Sequence, residues 1–216
     1  MEYQAVLFDF DYTLGDATES IYEGHCYAFE KMGYPKPELE EVRRMVGYLL
    51  EDGFTQLTGE ADPAKREEFR HIYKEHVKDT QARLTKLFPG AVELLDALHQ
   101  RGVKLGIVTS KHVDTLEEIM EHHGIRELID FAIGGEMVKL PKPDPEGLNT
   151  GIQTFGVDKA RVLYCGDTTI DAATAQNAGV DFSAVLNGVT PAADFGAYPS
   201  VHIAPDLVEL KSWLGI

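Results

Sequence analysis

The sequence predicts an α/β fold: a Rossmann-like parallel sheet core, interrupted just after its first strand by an all-helical insert. Three observations predict it. Short continuous apolar runs recur along the chain, as expected for strands buried on both faces. Helical patterns, several ended by glycine, separate the later runs, and such alternation implies a parallel sheet. Residues 16–84 show helical patterns and no strand pattern. The expected division is therefore 1–15 with 85–216 for the α/β core and 16–84 for the insert.

The elements follow in order. Gln4–Phe8 is the first buried strand. Ala17–Met32 opens the insert, with Ile21, Tyr22, Phe29 and Met32 at helical spacing and Gly33 as the stop. Asp16 and Glu19, three apart, resemble a capping box. Pro35-Lys36-Pro37 is a turn, and Glu38–Leu50 is helical again. Asp62-Pro63 opens a long charged helix that runs towards Leu84. Ala91–Gln100 carries Val92, Leu94, Leu95 and Leu98, with Gly102 after it. Val103–Val108 is a second buried strand, and His112–His123 is a helix closed by Gly124. Asp130–Ile133 is a weaker strand, and Pro145–Phe155 a helix. Arg161–Cys165 and Asp181–Leu186 are strands flanking the helix Ile170–Ala178. Val201–Ala204 is a short strand, and Asp206 caps the last helix, 206–214.

Composition narrows the partners. Lys and Arg number 20 against 36 Asp and Glu, a formal net charge of −16 over 216 residues. Such a field repels nucleic-acid phosphates and anionic lipid headgroups, so neither nucleic acid nor membrane is an expected partner. Cys26 and Cys165 lie far apart, each in an apolar stretch, and read as two buried thiols in a reducing compartment. No apolar run approaches the ~18 residues of a spanning helix, and the first residues lack the positive region of a signal peptide. A cytoplasmic protein, monomer or homodimer, is expected.

Ligands in open α/β sheets bind outside the carboxyl ends of the strands. Asp9-Phe10-Asp11-Tyr12-Thr13 follows the first strand, and Thr109-Ser110-Lys111 follows the second. Gly166-Asp167 follows Arg161–Cys165, with Asp171 four residues on and Lys142 on a loop ahead of it. An EF-hand loop also begins D-x-D but needs Gly at its sixth position and Glu at its twelfth. Those positions are Leu14 and Ser20 here. Singly, Asp9 and Asp11 read against surface carboxylates, since a buried strand leads straight into them, whereas Lys142 reads more readily as a solvated lysine and Asp171 could be a first-turn acid. Together, at successive strand ends, they describe one site.

This constellation resembles the haloacid dehalogenase (HAD) superfamily, across the whole chain. Asp9-x-Asp11-x-Thr13 is similar to its first motif, Thr109 to its second, Lys142 to its third, and Gly166-Asp167-x-x-x-Asp171 to its fourth. Phe88-Pro89-Gly90 looks like the return from a helical cap. Among the members, the chain looks most like the phosphoglycolate-phosphatase group. The resemblance implies a HAD-like core with a cap domain that closes over the site. It implies Asp9 as nucleophile, Asp11 as general acid and then base, and Thr109 and Lys142 as further catalytic groups. Phosphoryl oxygens would be bound by Thr109, Lys142 and the backbone amides near Tyr12 and Ser110. Mg2+ would be held by Asp9, the carbonyl of Asp11 and Asp167, with Asp171 acting through water. The residue types suit the task. A carboxylate can attack phosphorus and split one hard step into two. Cations and Mg2+, which prefers oxygen ligands, can cradle the charged phosphoryl group.

The implied activity is a Mg2+-dependent phosphatase acting on a small phosphorylated metabolite through an aspartyl phosphate. Phosphoglycolate is the first candidate, with pyrophosphate and sugar phosphates behind it. A phosphomutase is the alternative, but similar mutases place an Arg where this chain has Leu50. Asp11 argues against dehalogenation, which needs no acid there. Phosphonatases use a cap lysine, and nothing singles out Lys31 or Lys36. A non-catalytic phosphate-binding module would be expected to lack the nucleophile or the acid, and both are present. The chain departs from the pattern at Tyr12 and Pro141, where Gly is common. Arg43 or Arg44 could bind a substrate carboxylate or be solvated, and His25 could face the site or pack. The adjacent His122 and His123 carry no metal-ligand spacing, and Trp213 reads as a packing anchor.

Overall fold

The computed structural model describes residues 3–216; Met1 and Glu2, part of the stretch read for a signal peptide, lie outside the described residues. The elements in chain order are β1 (Ala5–Phe8), β2 (Gly15–Asp16), α1 (Thr18–Met32), α2 (Leu39–Met45), α3 (Leu50–Thr58), α4 (Pro63–Val77), α5 (Gln81–Leu84), β3 (Lys86–Leu87), α6 (Ala91–Gln100), β4 (Lys104–Val108), α7 (Val113–His122), β5 (Phe131–Ile133), α8 (Glu146–Phe155), β6 (Val162–Gly166), α9 (Thr169–Ala178), β7 (Asp181–Val185), β8 (His202–Ala204) and α10 (Leu207–Trp213).

The main sheet runs β5-β4-β1-β6-β7-β8, and every adjacent pair is parallel. β1 lies between β4 and β6, and all four of its residues are fully buried. Its alternation explains why the run is continuously apolar. Val6 and Phe8 pack against Leu94, Leu95 and Leu98 of α6, together with α7 and α10. Ala5 and Leu7 pack on the other face, against Leu148 and Ile152 of α8 and the alanines of α9. With both faces covered, the polar residues that end β1, β4 and β6 collect at one edge of the sheet.

The insert has its own core. Phe29, Phe54 and Phe69 pack with Ala28, Tyr73 and Val77. Phe54 and Phe69 stack with ring centroids 4.6 Å apart, and Phe29 meets both edge-on. Where the chain leaves and re-enters the α/β core, β2 and β3 pair antiparallel, Gly15 with Leu87 and Asp16 with Lys86. This two-stranded ribbon was not foreseen, because two-residue strands carry no periodicity.

The structure corrects several expectations. Glu38–Leu50 is not one helix: extended backbone at Val46 and Leu49 and a left-handed Gly47 (φ 101°) separate α2 from α3. The charged helix from Pro63 stops at Val77, and the short α5 follows. Asp16 does not cap α1. It pairs with Lys86 in the ribbon, and its Oδ1 instead accepts from the Thr18 N–H at 2.9 Å and from the Thr18 hydroxyl. Cys165 is buried as expected, whereas Cys26 is only partly so. Trp213 lies at the surface, stacked on His202 at 4.5 Å, rather than in the core.

His25 is packed, not solvated. Its Nδ1–H donates to the Ile21 carbonyl at 2.8 Å, and its ring lies among Phe29, Phe69 and Tyr73. Tyr73, from α4, is the ionisable group that faces it. Burial lowers its pKa to about 4, against the opposing effect of the Ile21 hydrogen bond. Below about 6.5 the unfolded chain takes up a proton here that the folded chain refuses. Stability is therefore expected to fall as pH drops from about 6.5 towards 4. The thermal midpoint of His25→Gln should fall less over this window than that of the parent. Equal losses in the two proteins would contradict the assignment.

Candidate active site

The first strand-end loop is tightly wound. The Asp9 N–H donates to the Cys165 carbonyl at 2.8 Å, extending the β1–β6 ladder by one residue. The Phe10 carbonyl then accepts from the N–H groups of Thr13, Leu14 and Gly15. Tyr12 holds a left-handed backbone (φ 58°) that favours glycine, the residue common in similar sequences. Its N–H donates to the Gly15 carbonyl at 2.8 Å, so this amide is not the open phosphate donor that the sequence suggests. Its ring is buried, its hydroxyl lies 2.7 Å from Thr18 Oγ1, and the Arg43 guanidinium sits over it at 5.8 Å. Arg43 also pairs with Glu40.

Asp9, Asp11, Thr109, Lys142, Asp167 and Asp171 come together here, each at most 9 % exposed as a residue or side chain. Lys142 Nζ lies 3.0 Å from Asp9 Oδ1 and 2.7 Å from Asp171 Oδ1. Burial opposes its ammonium form, but the Asp171 and Asp9 carboxylates outweigh that and hold its pKa above the ordinary lysine value. Pro141, which precedes it where Gly is common, does not prevent this reach. Asp171 is held from several sides: Oδ1 also faces the Tyr164 hydroxyl at 3.1 Å, and Oδ2 accepts from the Thr168 N–H and hydroxyl at 3.1 and 2.6 Å. A carboxylate offers about four lone-pair sites; Lys142 and Thr168 fill three of them, and the single Tyr164 proton is shared with the Val108 carbonyl. The Thr109 N–H donates to the Ile133 carbonyl, and its Oγ1 accepts from the Lys111 N–H at 3.2 Å. Ser110 turns its hydroxyl to the insert and donates to the Gly47 carbonyl at 2.7 Å.

Three carboxylate oxygens, Asp9 Oδ1, Asp11 Oδ1 and Asp167 Oδ2, are buried without a hydrogen bond. Asp9 Oδ1 has the Lys142 ammonium beside it at 3.0 Å as an ion pair. Ligand oxygens of Asp9, Asp167 and Asp171 all lie within 4.8 Å of one another. Burial, reinforced by the Asp171 and Asp11 charges, raises the Asp9 carboxyl to about 6 despite Lys142. Burial and the charges of Asp171 and Asp9 likewise push Asp167 well up. Four buried carboxyl groups face two buried ammonium groups, Lys142 and Lys111, so full ionisation would leave two negative charges uncompensated. That deficit and an all-oxygen donor set fit one hard divalent cation.

Residues 6–185 match the family model for haloacid dehalogenase-like hydrolases. The chain is a haloacid dehalogenase-like hydrolase. A pyrophosphatase, PpaX, of Halalkalibacterium halodurans is 29 % identical over 97 % of both chains. A phosphoglycolate phosphatase of Cereibacter sphaeroides is 32 % identical over 85 % of each. A solved structure described as a haloacid dehalogenase-like hydrolase from Bacteroides fragilis superimposes with a TM-score of 0.93 at 37 % identity, covering 96 % of this chain and 99 % of that one.

Four residues of the hydrolase's site escaped the sequence reading. Lys111, two residues after Thr109, places Nζ 3.1 Å from Asp11 Oδ2 with its side chain 6 % exposed. Its place at a strand end was a signal that could have been used. Tyr164, a lone hydroxyl in an aliphatic strand, lies 3.0 Å from the Val108 carbonyl as well as beside Asp171. Asn187 and Gly188 follow β7, which carries no charged residue at its end. Asn187 donates to the Thr13 carbonyl at 3.1 Å. Gly188 lies so close to Asp167 that a Cβ there would meet Oδ2 at 2.0 Å. Gly188→Ala should therefore displace the Asp167 carboxylate and cost about 1–3 kcal/mol. Thermal melts with and without Mg2+ should show that the metal stabilises the parent but not the variant. An undiminished Mg2+ response would contradict this role.

Proposed function

We propose that the protein is a Mg2+-dependent phosphatase of the cytoplasm that hydrolyses a small phosphorylated metabolite through an aspartyl phosphate on Asp9. The observation that carries this reading is the buried Lys142, bridging Asp9 and Asp171 beside oxygens that lack donors. Asp9 and Asp167 would hold Mg2+, and Asp171 would orient Lys142 and reach the metal only through water. When bound, Mg2+ would neutralise charge on the phosphoryl oxygens and favour the ionised form of Asp9.

The chain's own residues supply the remaining steps. An Asp9 oxygen attacks phosphorus in line, forming the O–P bond as the bond to the leaving oxygen breaks. Asp11, beside Lys111, must carry a proton when substrate is bound, and gives it to that oxygen as the bond breaks. Asp11 then takes a proton from water, which attacks the same phosphorus, releases inorganic phosphate and restores Asp9. Lys142 and Thr109 bind the equatorial oxygens throughout. Ser110, whose hydroxyl reaches Gly47, helps seat the insert over the site and exclude water.

Phosphoglycolate is the first substrate candidate, with pyrophosphate and sugar phosphates as alternatives. Both of the first two accord with the names of relatives. Leu50 lines the cavity where similar mutases carry Arg, which favours hydrolysis over transfer between hydroxyls. Phosphate release from a panel of these compounds should require Mg2+, stop in EDTA, and fall by about 10⁴-fold or more in Asp9→Asn. Full activity in that variant would remove Asp9 as nucleophile.

A further inference from the structure

A cavity of about 670 Å³ lies between the insert and the α/β core, with Asp9, Asp11, Thr109 and Lys111 among the residues that line it. The carboxyl groups gathered there do not share one partner. Asp9 and Asp171 both face Lys142, and Asp167 accepts from the Thr13 hydroxyl at 3.4 Å. Asp11 stands apart from them. Lys111 Nζ lies 3.1 Å from its Oδ2, with the two side chains 6 and 12 % exposed. Its Oδ1 is buried without a hydrogen bond. Asp9 and Tyr73 also sense the Asp11 charge. Among the described residues, however, Lys111 is the one group that pairs with this carboxyl.

The backbone sets Lys111 in place. Its N–H donates to Thr109 Oγ1 at 3.2 Å, and its carbonyl accepts from the Gly135 N–H at 3.2 Å. Gly134 passes so near that a Cβ there would meet the Lys111 carbonyl at 2.7 Å. From this fixed start the side chain crosses from the end of β4 to the end of β1, its neighbour in the sheet. A buried ammonium requires a counter-charge, and Asp11 supplies it. The two Asp11 oxygens are therefore unlike: Oδ2 is engaged, and Oδ1 is left to exchange a proton. A protonated carboxyl still offers its carbonyl oxygen as an acceptor. Oδ2 can thus stay on Lys111 while Oδ1 carries the proton to the leaving oxygen. After that transfer Oδ1 accepts the proton of the attacking water with no rotation of the side chain.

We propose that Lys111 is a positioning residue for proton transfer: it fixes Asp11 through Oδ2 and aims Oδ1 at the leaving oxygen. This rests on the phosphatase reading above and gives that site a cation that acts on the acid rather than on the phosphoryl group. Without Lys111 the Asp11 side chain is free to turn, and a misplacement of about 1 Å can cost about 10²-fold in rate.

The test compares kcat/KM in Mg2+ for two esters built on the same ring, phenyl phosphate and 2,4-dinitrophenyl phosphate. Phenoxide, as basic as a tyrosine side chain with its pKa of about 10, needs a proton as it leaves; the far more acidic dinitrophenol does not. The ratio kcat/KM covers the steps up to departure of the leaving group and excludes hydrolysis of the aspartyl phosphate, which both esters share. Lys111→Met should lower kcat/KM for phenyl phosphate by about tenfold or more. The loss for 2,4-dinitrophenyl phosphate should stay below about threefold, and Lys111→Arg, which keeps the charge, should recover most of the phenyl phosphate loss. In Asp11→Asn, which has no acid to aim, adding Lys111→Met should change phenyl phosphate hydrolysis by less than about twofold. That double variant strands no buried charge, so it tests the coupling even where Lys111→Met alone is unstable. Inorganic phosphate should inhibit the parent and Lys111→Met equally. Equal losses on the two esters, no loss, or weaker inhibition by phosphate in the variant would overturn this inference and leave the phosphatase reading standing. Failure of the parent to release phosphate from either ester would overturn both.

Discussion

The site depends on one buried ammonium. Lys142 sits between Asp9 and Asp171, 3.0 and 2.7 Å from their oxygens, where water has little access. Removing one partner of such a buried pair costs far more than the pair itself contributes, so each member holds the others in place. Asp171 is fixed in orientation, since Thr168 holds one of its oxygens and Tyr164 stands beside the other. It acts as a rigid anchor that aims Lys142 at Asp9. The remaining excess of two carboxyl groups over ammonium groups suits a divalent cation.

The sheet makes this arrangement possible. Parallel strands covered on both faces bring their carboxyl ends to one edge without needing polar residues along their length. Backbone then closes in where side chains would obstruct. Gly188 passes Asp167 at a distance no Cβ allows, and Gly166 does the same for Asp171. The insert comes down on this edge through the 46–49 segment. Ser110 reaches the Gly47 carbonyl there, and Leu49 approaches Gly135 so closely that a Cβ would meet it at 2.7 Å. The carboxylate floor and the opposite wall of the cavity thus belong to different parts of the chain.

The apolar runs made the α/β core legible because its central strands are buried on both faces. Asp9, Asp11, Thr109, Lys142, Asp167 and Asp171 were legible because each stands just after a strand or on an adjoining loop. What was hidden depended on tertiary approach. Gly188 matters only through its distance from Asp167, and Asn187 only through the Thr13 carbonyl. The break at Gly47 overrode a continuous helical pattern, because docking on Ser110 needs extended backbone on either side of it. Asp16 is not the cap residue because α1 begins at Thr18, which puts Ala17 at the cap position.

The central claim is a covalent phosphoryl group on Asp9. Reaction with substrate and Mg2+, rapid quenching and borohydride reduction would convert an aspartyl phosphate into homoserine, which peptide mass spectrometry locates. The account predicts homoserine at position 9 during turnover and none in Asp9→Asn. Turnover without modification of Asp9, or with the phosphoryl group on another side chain, would contradict it.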